Sequence, residues 1–448
     1  MKTSTLFTCT SCDHSAPRWF GRCPSCDRWG TVATAQAAPA RAQGGLLEVS
    51  GLAAGKGTPT RLRTGVAELD RVLGGGLVPG SVVLLSGDPG IGKSTLVLQM
   101  IGGVHNGGKR ALLVTAEESL DQVALRAHRL GVDGSRVRAA ASSSLPAILD
   151  TATNEGCDLL VVDSIQTVED PAHGSAAGSV VQVRECAAGL VRFAKSTGTA
   201  VVLIGHVTKE GTVAGPRTLE HLVDAVLSLE GERTGSFRLL RGVKNRFGSC
   251  DEVGVFSMDE AGMRGVQDPS AMFLADRLPG VAGSAVFPGL EGIRPVLVEV
   301  QALVVGTTAP QPRRVAIGCD QRRLSLLLGI MTKVNGPQLA ASDIFVAAAG
   351  GLQVKEPAAD LSIGLALISS WSERPLPAST VAVGELGLAG EVRRVPGIER
   401  RIAEASRLGF TTAIVPRGSS VSSDSLRIVE VASLQHALDA MSVATAST

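Results

Sequence analysis

The 448-residue chain contains no tyrosine, and aromatic residues make up only 3% of it. A sheet that stacks a long row of nucleic-acid bases on aromatic rings is therefore not expected. The net charge is only +1, so any binding to nucleic acid must rely on local basic patches. The sequence also lacks apolar runs of membrane-spanning length and the apolar core of a signal peptide. These absences predict a cytoplasmic protein with no membrane partner.

The eight cysteines are unevenly distributed, because four of them lie within the first 26 residues. Two C-x-x-C pairs result, formed by Cys9, Cys12, Cys23 and Cys26, and this spacing suits four thiolates around one Zn²⁺. A segment this short buries too little apolar surface to fold alone, so zinc would supply its folding free energy. A redox-active dithiol pair and a chance cluster of cysteines are the alternatives. The pattern predicts a zinc ribbon over residues 1–30.

Basic and aromatic residues alternate within this ribbon, namely Arg18, Trp19, Phe20, Arg22, Arg28 and Trp29. Such a mixture suits contact with a nucleic acid or with a protein partner. Packing of the two tryptophans inside a small zinc core explains them equally well. The sequence leaves these alternatives open.

A phosphate-binding loop is predicted by the stretch Gly87-Asp88-Pro89-Gly90-Ile91-Gly92-Lys93-Ser94-Thr95, which fits the pattern G-x-x-x-x-G-K-[ST]. An apolar run precedes it and a helical pattern follows it, which is the required order of strand, loop and helix. A plain glycine-rich turn is the alternative. In such a loop, backbone N–H groups surround phosphate oxygens, Lys93 contacts the β- and γ-phosphates, and Ser94 holds Mg²⁺. The stretch predicts binding of ATP or ADP with Mg²⁺.

Strand and helix patterns alternate after this loop, which predicts a mostly parallel α/β sheet. Polar residues end three of the predicted strands, namely Glu117, Asp163 and His206. Ligands bind beyond the carboxyl ends of such strands. Asp163 would hold Mg²⁺, Glu117 would polarise the attacking water, and His206 would sense the γ-phosphate. Glu118 is the next candidate for the base, and helix capping is the alternative role for strand-end carboxylates.

Two later segments carry cations that are candidates for contact with DNA. Lys209 and Arg217 lie in a glycine-rich stretch after His206, where an ordinary surface loop is the alternative. Lys244 and Arg246 are two residues apart and would point the same way from an extended segment. Such a pair could reach a phosphate group.

Beyond about residue 270 the pattern changes to mixed strands and helices, which predicts a separate α+β domain over residues 269–448. Three segments precede this predicted domain. They are the zinc ribbon over residues 1–30, a linker over residues 31–60 rich in Ala, Gly, Thr and Pro, and the ATPase domain over residues 61–268. The last domain contains four basic pairs, namely Arg313-Arg314, Arg322-Arg323, Arg393-Arg394 and Arg400-Arg401. They suggest a nucleic-acid surface, with solvated surface charges as the alternative.

The order of these parts resembles the RadA (Sms) family of bacterial DNA repair proteins over nearly the whole chain. The resemblance is carried by the lead-in over residues 69–81, the phosphate-binding loop and Lys244-Asn245-Arg246-Phe247-Gly248. It implies a RecA-like ATPase core in which Glu117 of Ala116-Glu117 is the catalytic carboxylate. It implies that Lys244 and Arg246 reach the ATP of a neighbouring subunit. It also implies a hexameric, ATP-driven motor that acts on single-stranded and branched DNA in recombinational repair and branch migration, with a recombinase such as RecA as partner.

The last domain resembles the proteolytic domain of Lon proteases, with two departures. Ala358 stands where Lon proteases have the serine nucleophile, and Glu399 stands where they have the catalytic lysine. Peptide hydrolysis has no route without nucleophile and base, which argues against an ATP-dependent protease. A regulatory RecA-like ATPase ring that does not move on DNA is the alternative to a DNA motor.

Overall fold

The computed structural model describes residues 6–9, 14–16, 18–35, 60–135, 137–206, 218–231, 237–335, 339 and 341–445. The chain divides into two compact units, Met1–Thr58 and Pro59–Thr448. In the described ranges, no helix has both the length and the apolar character needed to cross a membrane. The predicted boundary at residue 268 stays a prediction, since the second unit contains the segments on both sides of it.

A small antiparallel sheet forms the first unit, with the strand order β2-β1-β3. Its strands are β1 (Leu6–Cys9), β2 (Ser15–Ala16) and β3 (Val32–Ala35). The backbone N–H of Cys9 donates to the carbonyl of His14, and that of Cys23 donates to the carbonyl of Arg28. The side chains of Cys9 and Cys23 are fully buried.

A nine-stranded sheet forms the predicted ATPase part of the second unit. The strands are β4 (Val82–Gly87), β5 (Ala111–Thr115), β6 (Arg138–Ala141), β7 (Leu159–Asp163), β8 (Ala200–His206), β9 (Ala225–Glu230), β10 (Phe237–Asn245), β11 (Val253–Asp259) and β12 (Gly262–Gly265). Their order is β12-β11-β10-β9-β4-β8-β7-β5-β6. The six strands from β9 to β6 in this order are parallel, and β10, β11 and β12 continue as an antiparallel meander.

Helices cover both faces of this sheet. They are α1 (Ala67–Val72), α2 (Lys93–Asn106), α3 (Leu120–Arg129), α4 (Leu145–Glu155) and α5 (Val180–Thr197). Successive residues of the central strand β4 face opposite sides, so Val83 and Leu85 belong to the apolar core on the α2 side, while Val82 and Leu84 belong to the core on the α5 side. Burial on both faces explains why the predicted parallel strands are nearly continuous apolar runs.

The last part of the chain contains a mixed seven-stranded sheet, with the order β15-β16-β14-β13-β17-β20-β21, and a two-stranded sheet of β18 and β19. The strands are β13 (Ser284–Glu291), β14 (Arg294–Gly306), β15 (Arg314–Ile317), β16 (Ser342–Ala348), β17 (Thr380–Ala382), β18 (Glu385–Leu386), β19 (Val392–Arg393), β20 (Thr412–Pro416) and β21 (Arg427–Val431). The helices are α6 (Pro269–Phe273), α7 (Gln321–Asn335), α8 (Asp360–Ser372), α9 (Ile398–Arg407) and α10 (Leu434–Thr445). This mixture of strands and helices agrees with the predicted fold class.

A buried ion pair joins the two sheets of the second unit. Arg294 at the start of β14 pairs with Glu68 of α1, and their side chains are only 9% and 3% exposed. Glu68 also accepts a hydrogen bond from the backbone N–H of Val255 (2.9 Å), and Arg294 donates to the carbonyl of Val253 (3.1 Å). Removing one member of such a pair typically costs about 3–5 kcal/mol. Loss of either partner is therefore expected to weaken the packing between the two parts of the second unit.

Candidate active site and metal centre

The backbone of the predicted phosphate-binding loop depends on glycine. Gly87, Gly90 and Gly92 have φ angles of 154°, 80° and 116°, which glycine adopts without strain. At Gly87, a Cβ atom would also lie only 2.5 Å from the carbonyl oxygen of Leu229. The loop leads directly into α2, which begins at Lys93. The predicted order of strand, loop and helix is thus present, and a helix N-terminus with free N–H groups favours anions.

Lys93 lies against the loop from which it emerges. Its ammonium group donates to the carbonyl oxygens of Gly87 (2.8 Å) and Asp88 (3.0 Å), and the residue is buried. Burial lowers the pKa of Lys93, while the carboxylates of Asp163, Asp88 and Glu117 act in the opposite direction. The cation is therefore held beside the loop by carbonyl groups and by the surrounding negative charge.

Ser94 and Asp163 meet although they are far apart in sequence. The Ser94 hydroxyl donates to Oδ2 of Asp163 at 2.8 Å, because the start of α2 lies beside the carboxyl end of β7. Burial raises the pKa of Asp163, and the hydrogen bond from Ser94 opposes this effect. A hydroxyl and a carboxylate are oxygen ligands of the kind Mg²⁺ accepts together with nucleotide phosphates. The two side chains fit the predicted magnesium site.

Glu117 follows β5 and is held from two sides. The hydroxyl of Ser164 donates to its Oε1 atom, and Nε2 of His206 lies 3.6 Å from the same oxygen. The imidazole of His206 lowers the pKa of Glu117; burial acts against this, and the Ser164 hydrogen bond reinforces it. Glu117 is therefore a carboxylate at neutral pH, as a general base must be.

The neighbouring Glu118 points elsewhere. Its Oε1 atom lies 2.7 Å from Nη2 of Arg126 on α3. The backbone also fixes this residue, since the hydroxyl of Thr115 donates to the carbonyl of Glu118 at 2.9 Å. Of the two adjacent glutamates, the geometry favours Glu117 as the one beside the phosphate-binding loop.

Two residues near this cluster were not predicted from the sequence. Ser164 is fully buried and holds Glu117, as described above. Gln166 is 8% exposed, and its Nε2 atom donates to the backbone carbonyl of His206 at 3.3 Å. Their only sequence signal is a position just after Asp163 at a strand end, because no motif marks the residues that orient a base.

Lys244 and Arg246 lie at the opposite end of the strands from the phosphate-binding loop of their own chain. Asn245 pairs with Ala225 at the start of β9, and Ala225 pairs with Val83 near the start of β4. The loop begins at the other end of β4, four residues beyond Val83, which at about 3.3 Å per residue is roughly 13 Å away.

Both side chains of this pair turn to the segment before β9, which agrees with the prediction that they point the same way. Nζ of Lys244 donates to the carbonyls of Glu220 and Val223, and Arg246 forms an ion pair with Asp224 (3.1 Å). The structure therefore does not bring Lys244 and Arg246 to their own chain's nucleotide site. Lys209 and Arg217 lie outside the described residues.

The basic pairs of the last part are largely engaged within the chain. One member of each pair has an acceptor there: Arg314 donates to the carbonyl of Ser342, Arg323 pairs with Asp360, Arg393 pairs with Glu391, and Arg401 pairs with Glu356. Arg401 is also only 1% exposed. The four pairs thus supply fewer surface charges than their sequence suggests.

Three described cysteines form a candidate metal centre in the first unit. The Sγ atoms of Cys9, Cys23 and Cys26 all lie within 4.8 Å of one another, and those of Cys9 and Cys26 are 3.7 Å apart. Tetrahedral Zn²⁺ with Zn–S bonds of about 2.3 Å requires sulfur atoms about 3.8 Å apart. The cluster fits zinc. The predicted fourth ligand, Cys12, lies outside the described residues.

Three protein-family models match the chain. The KaiC ATPase model matches residues 62–155, the rubredoxin metal binding domain matches residues 7–33, and the model of subunit ChlI of Mg-chelatase matches residues 333–419. The parallel sheet, the phosphate-binding loop and the cysteine cluster agree with the first two matches. Together they define the class of protein, a RecA-like P-loop ATPase that carries an N-terminal zinc ribbon.

Relatives that match nearly the whole chain identify the family. DNA repair protein RadA of Pseudomonas aeruginosa is 46% identical, covering 98% of this chain and 99% of the relative. DNA repair protein RadA of Listeria monocytogenes and that of Bacillus subtilis are each 44% identical, covering 93% of both chains. The chain belongs to the RadA family of DNA repair proteins, as the sequence predicted.

Proposed function

We propose that the chain is an ATP-driven motor on single-stranded DNA that promotes branch migration during recombinational repair. The observation that carries this proposal is the position of Lys244 and Arg246, at the end of the strands opposite their own phosphate-binding loop. We propose that cations placed there serve a neighbouring subunit's nucleotide. Hydrolysis then depends on assembly, which a ring motor needs in order to couple one ATP to movement of the next subunit.

Each residue near the loop has a role in this proposal. The loop and Lys93 bind the phosphates of ATP, and Ser94 and Asp163 hold Mg²⁺, which neutralises charge on the phosphate oxygens. Glu117 accepts a proton from the attacking water, because its carboxylate is ionised and adjacent to this cluster. Ser164 orients that carboxylate through its hydrogen bond.

His206 links hydrolysis to the proposed DNA contacts. Its ring lies beside Glu117, and its backbone carbonyl is held by Gln166. His206 also ends β8 and immediately precedes the stretch that contains Lys209 and Arg217. A conformational change at Glu117 after hydrolysis would thus shift His206 and, with it, the first residues of that stretch. We propose that Lys209 and Arg217 contact the DNA backbone.

The test of the motor is ATP-dependent movement of a DNA branch. Purified protein is given a three-stranded recombination intermediate prepared with RecA, with ATP or with a non-hydrolysable analogue, and images show whether it forms hexameric rings. The motor predicts DNA-stimulated hydrolysis and branch migration only with ATP. The alternative, a regulatory ATPase ring without translocation, predicts rings whose hydrolysis ignores single-stranded DNA.

Glu117→Gln should bind ATP normally but hydrolyse it about 10²- to 10⁴-fold more slowly, since the amide cannot accept the proton. Glu118→Gln is the matched control, because Glu118 is paired with Arg126 and should change turnover little. Single-turnover hydrolysis and binding of a fluorescent ATP analogue measure the two effects. A Glu118→Gln variant slower than Glu117→Gln would transfer the role of the base to Glu118.

We expect about one Zn²⁺ per chain, because four thiolates close a tetrahedral site. Cys23→Ser should lose that zinc, while Cys157→Ser should retain it, since Cys157 belongs to the core beside α4. Metal analysis of protein purified under reducing conditions and without chelators measures the ratio. A zinc-free wild-type protein would show that the cysteine cluster has another use.

The last part should not cleave peptides. Ala358 has no nucleophilic atom and is only 3% exposed, and Glu399 is a carboxylate on the first turn of α9. We propose instead that this part is a scaffold for assembly and DNA binding. Casein should stay intact during long incubation with the protein and ATP. Cleavage that survives rigorous purification and disappears on mutation of this chain would contradict the scaffold role.

A further inference from the structure

The two tryptophans of the ribbon do not pack inside it. Trp19 is 67% exposed and Trp29 is 73% exposed. Among the described residues of this unit, Cys9 and Cys23 are buried instead, and the half-buried rings of His14 and Phe20 make an edge-to-face contact with centroids 5.8 Å apart. The alternative that the tryptophans stabilise the zinc core is therefore wrong for this fold. Large exposed aromatic rings of this kind indicate a binding surface.

Both indole rings border the same glycine. A Cβ atom on Gly21 would lie 3.3 Å from Cη2 of Trp19 and 3.6 Å from Cζ3 of Trp29. Both ring edges therefore lie close to position 21. A larger side chain at position 21 would separate the rings or cover them. Trp19, Gly21 and Trp29 together form one exposed aromatic surface, here called the tryptophan pair.

The charge around the tryptophan pair favours an anionic partner. The unit Met1–Thr58 contains six Lys and Arg residues and three Asp and Glu residues, so it is more basic than the chain as a whole. Arg18 and Arg22 are exposed next to the pair. Asp27 is the single acidic residue among the described residues of this unit, and it already pairs with Arg22 at 3.3 Å. Such an exposed ion pair is weak and easily exchanged for a phosphate contact.

We propose that the tryptophan pair stacks the bases of single-stranded nucleic acid, while Arg18 and Arg22 contact its phosphates. Stacking uses the π-face that every base has, so this contact is independent of sequence. Two rings accommodate one or two bases, which agrees with the scarcity of aromatic residues elsewhere in the chain. The proposal rests on the proposed function in taking single-stranded DNA as the polymer and adds a contact outside the ATPase part.

Tryptophan fluorescence tests the contact directly, because the chain has only three tryptophans. The third, Trp371, belongs to α8 in the other unit, so Trp371→Phe leaves only the tryptophan pair as a reporter. Full-length, zinc-loaded Trp371→Phe protein is titrated with a 20-nucleotide oligo(dT) and with an abasic strand of equal length. We expect oligo(dT) to quench the emission and the abasic strand to leave it nearly unchanged. Equal quenching by both strands would overturn stacking.

Affinity measurements then separate stacking from charge. Trp19→Ala and Trp29→Ala should each weaken oligo(dT) binding by about 5- to 160-fold, with an unchanged dependence on salt. Arg18→Ala should instead lower the logarithmic salt slope by about 0.7. Trp371→Ala is the matched control and should bind as the wild type does. Zinc content verifies that each variant keeps the ribbon.

The outcomes distinguish this inference from the proposed function. If both tryptophan variants keep zinc and bind oligo(dT) like the wild type, the tryptophan pair does not stack bases, although the motor proposal stands. Loss of binding to a recombinase with unchanged affinity for oligo(dT) would assign the surface to a protein and likewise overturn the inference. A wild-type protein that does not bind oligo(dT) at all would contradict both.

Discussion

Lys93→Ala should abolish ATP turnover, with a fall of at least about 10³-fold. The ammonium group of Lys93 lies against the phosphate-binding loop, where it donates to the carbonyls of Gly87 and Asp88. In the proposed mechanism it moves from these carbonyls to the β- and γ-phosphates. Alanine removes both the positioning and the neutralising charge. Steady-state hydrolysis with single-stranded DNA measures the loss.

Lys195→Ala provides the matched control for this result. Lys195 is an exposed lysine near the end of α5, so its removal tests the loss of a lysine without touching the loop. It should retain wild-type turnover. A thermal unfolding profile shows whether either variant is misfolded. Substantial hydrolysis in well-folded Lys93→Ala protein would mean that another site in the chain hydrolyses ATP.

Arg246→Ala should retain ATP binding but lose most DNA-stimulated turnover, by about 10³-fold or more. A cation supplied by a neighbouring subunit stabilises the charge that develops on the γ-phosphate. Arg246 must leave Asp224 for this purpose; its guanidinium group is half exposed, and the buried Asp224 carboxylate would keep the hydrogen bond that it accepts from the backbone N–H of Val82 (3.0 Å). Turnover and nucleotide affinity are measured together, since only turnover should fall.

Two controls define the cause of that loss. Arg138→Ala breaks an ion pair with Glu155 at the edge strand β6, which is more exposed than the pair of Arg246 with Asp224, and should leave turnover unchanged. Arg246→Lys keeps the charge and should retain part of the activity. If Arg246 contacts DNA directly instead, Arg246→Ala should lower the logarithmic salt slope of single-stranded DNA binding by about 0.7. A lower slope with normal turnover at saturating DNA would contradict the role at the neighbour's ATP.

Much of the ATPase fold was predictable because its parallel strands are buried on both faces. Apolar runs ending at Glu117, Asp163 and His206 correspond to β5, β7 and β8. The edge strand β6 was missed, since Arg138–Ala141 is short, rich in alanine and only partly buried. Its conformation depends on pairing with β5, a tertiary contact that local propensity does not contain.

The reactive groups were predictable and their supports were not. The spacing of the phosphate-binding motif indicated Lys93 and Ser94, and strand ends indicated Glu117 and Asp163. These positions were predictable because phosphate binding, metal binding and proton transfer each require particular side-chain types. Ser164 holds Glu117 through a contact between two different strand ends. That contact arises from the sheet order, in which β5 and β7 are neighbours although one strand and two helices separate them in sequence.

The exposure of the tryptophans was also beyond the sequence. A ribbon of this size has so few core positions that either packing or exposure of Trp19 and Trp29 would be reasonable. The structure decides between them, because Trp19 and Trp29 are 67% and 73% exposed while Cys9 and Cys23 are buried. The sequence did predict that basic and aromatic residues occur together in the ribbon, and the structure places Arg18, Trp19, Arg22 and Trp29 at its surface.

The central claim is that ATP bound by one subunit is hydrolysed with a cation from the next, and mixing two inactive variants tests it most directly. Lys93→Ala and Arg246→Ala are combined in increasing ratios, with single-stranded DNA present and mixed assembly verified by differential tagging. Some interfaces then join an intact phosphate-binding loop to an intact Arg246. The account predicts that hydrolysis rises from near zero in either pure variant to a maximum at intermediate ratios. Turnover that stays at zero in assemblies containing both variants would contradict it.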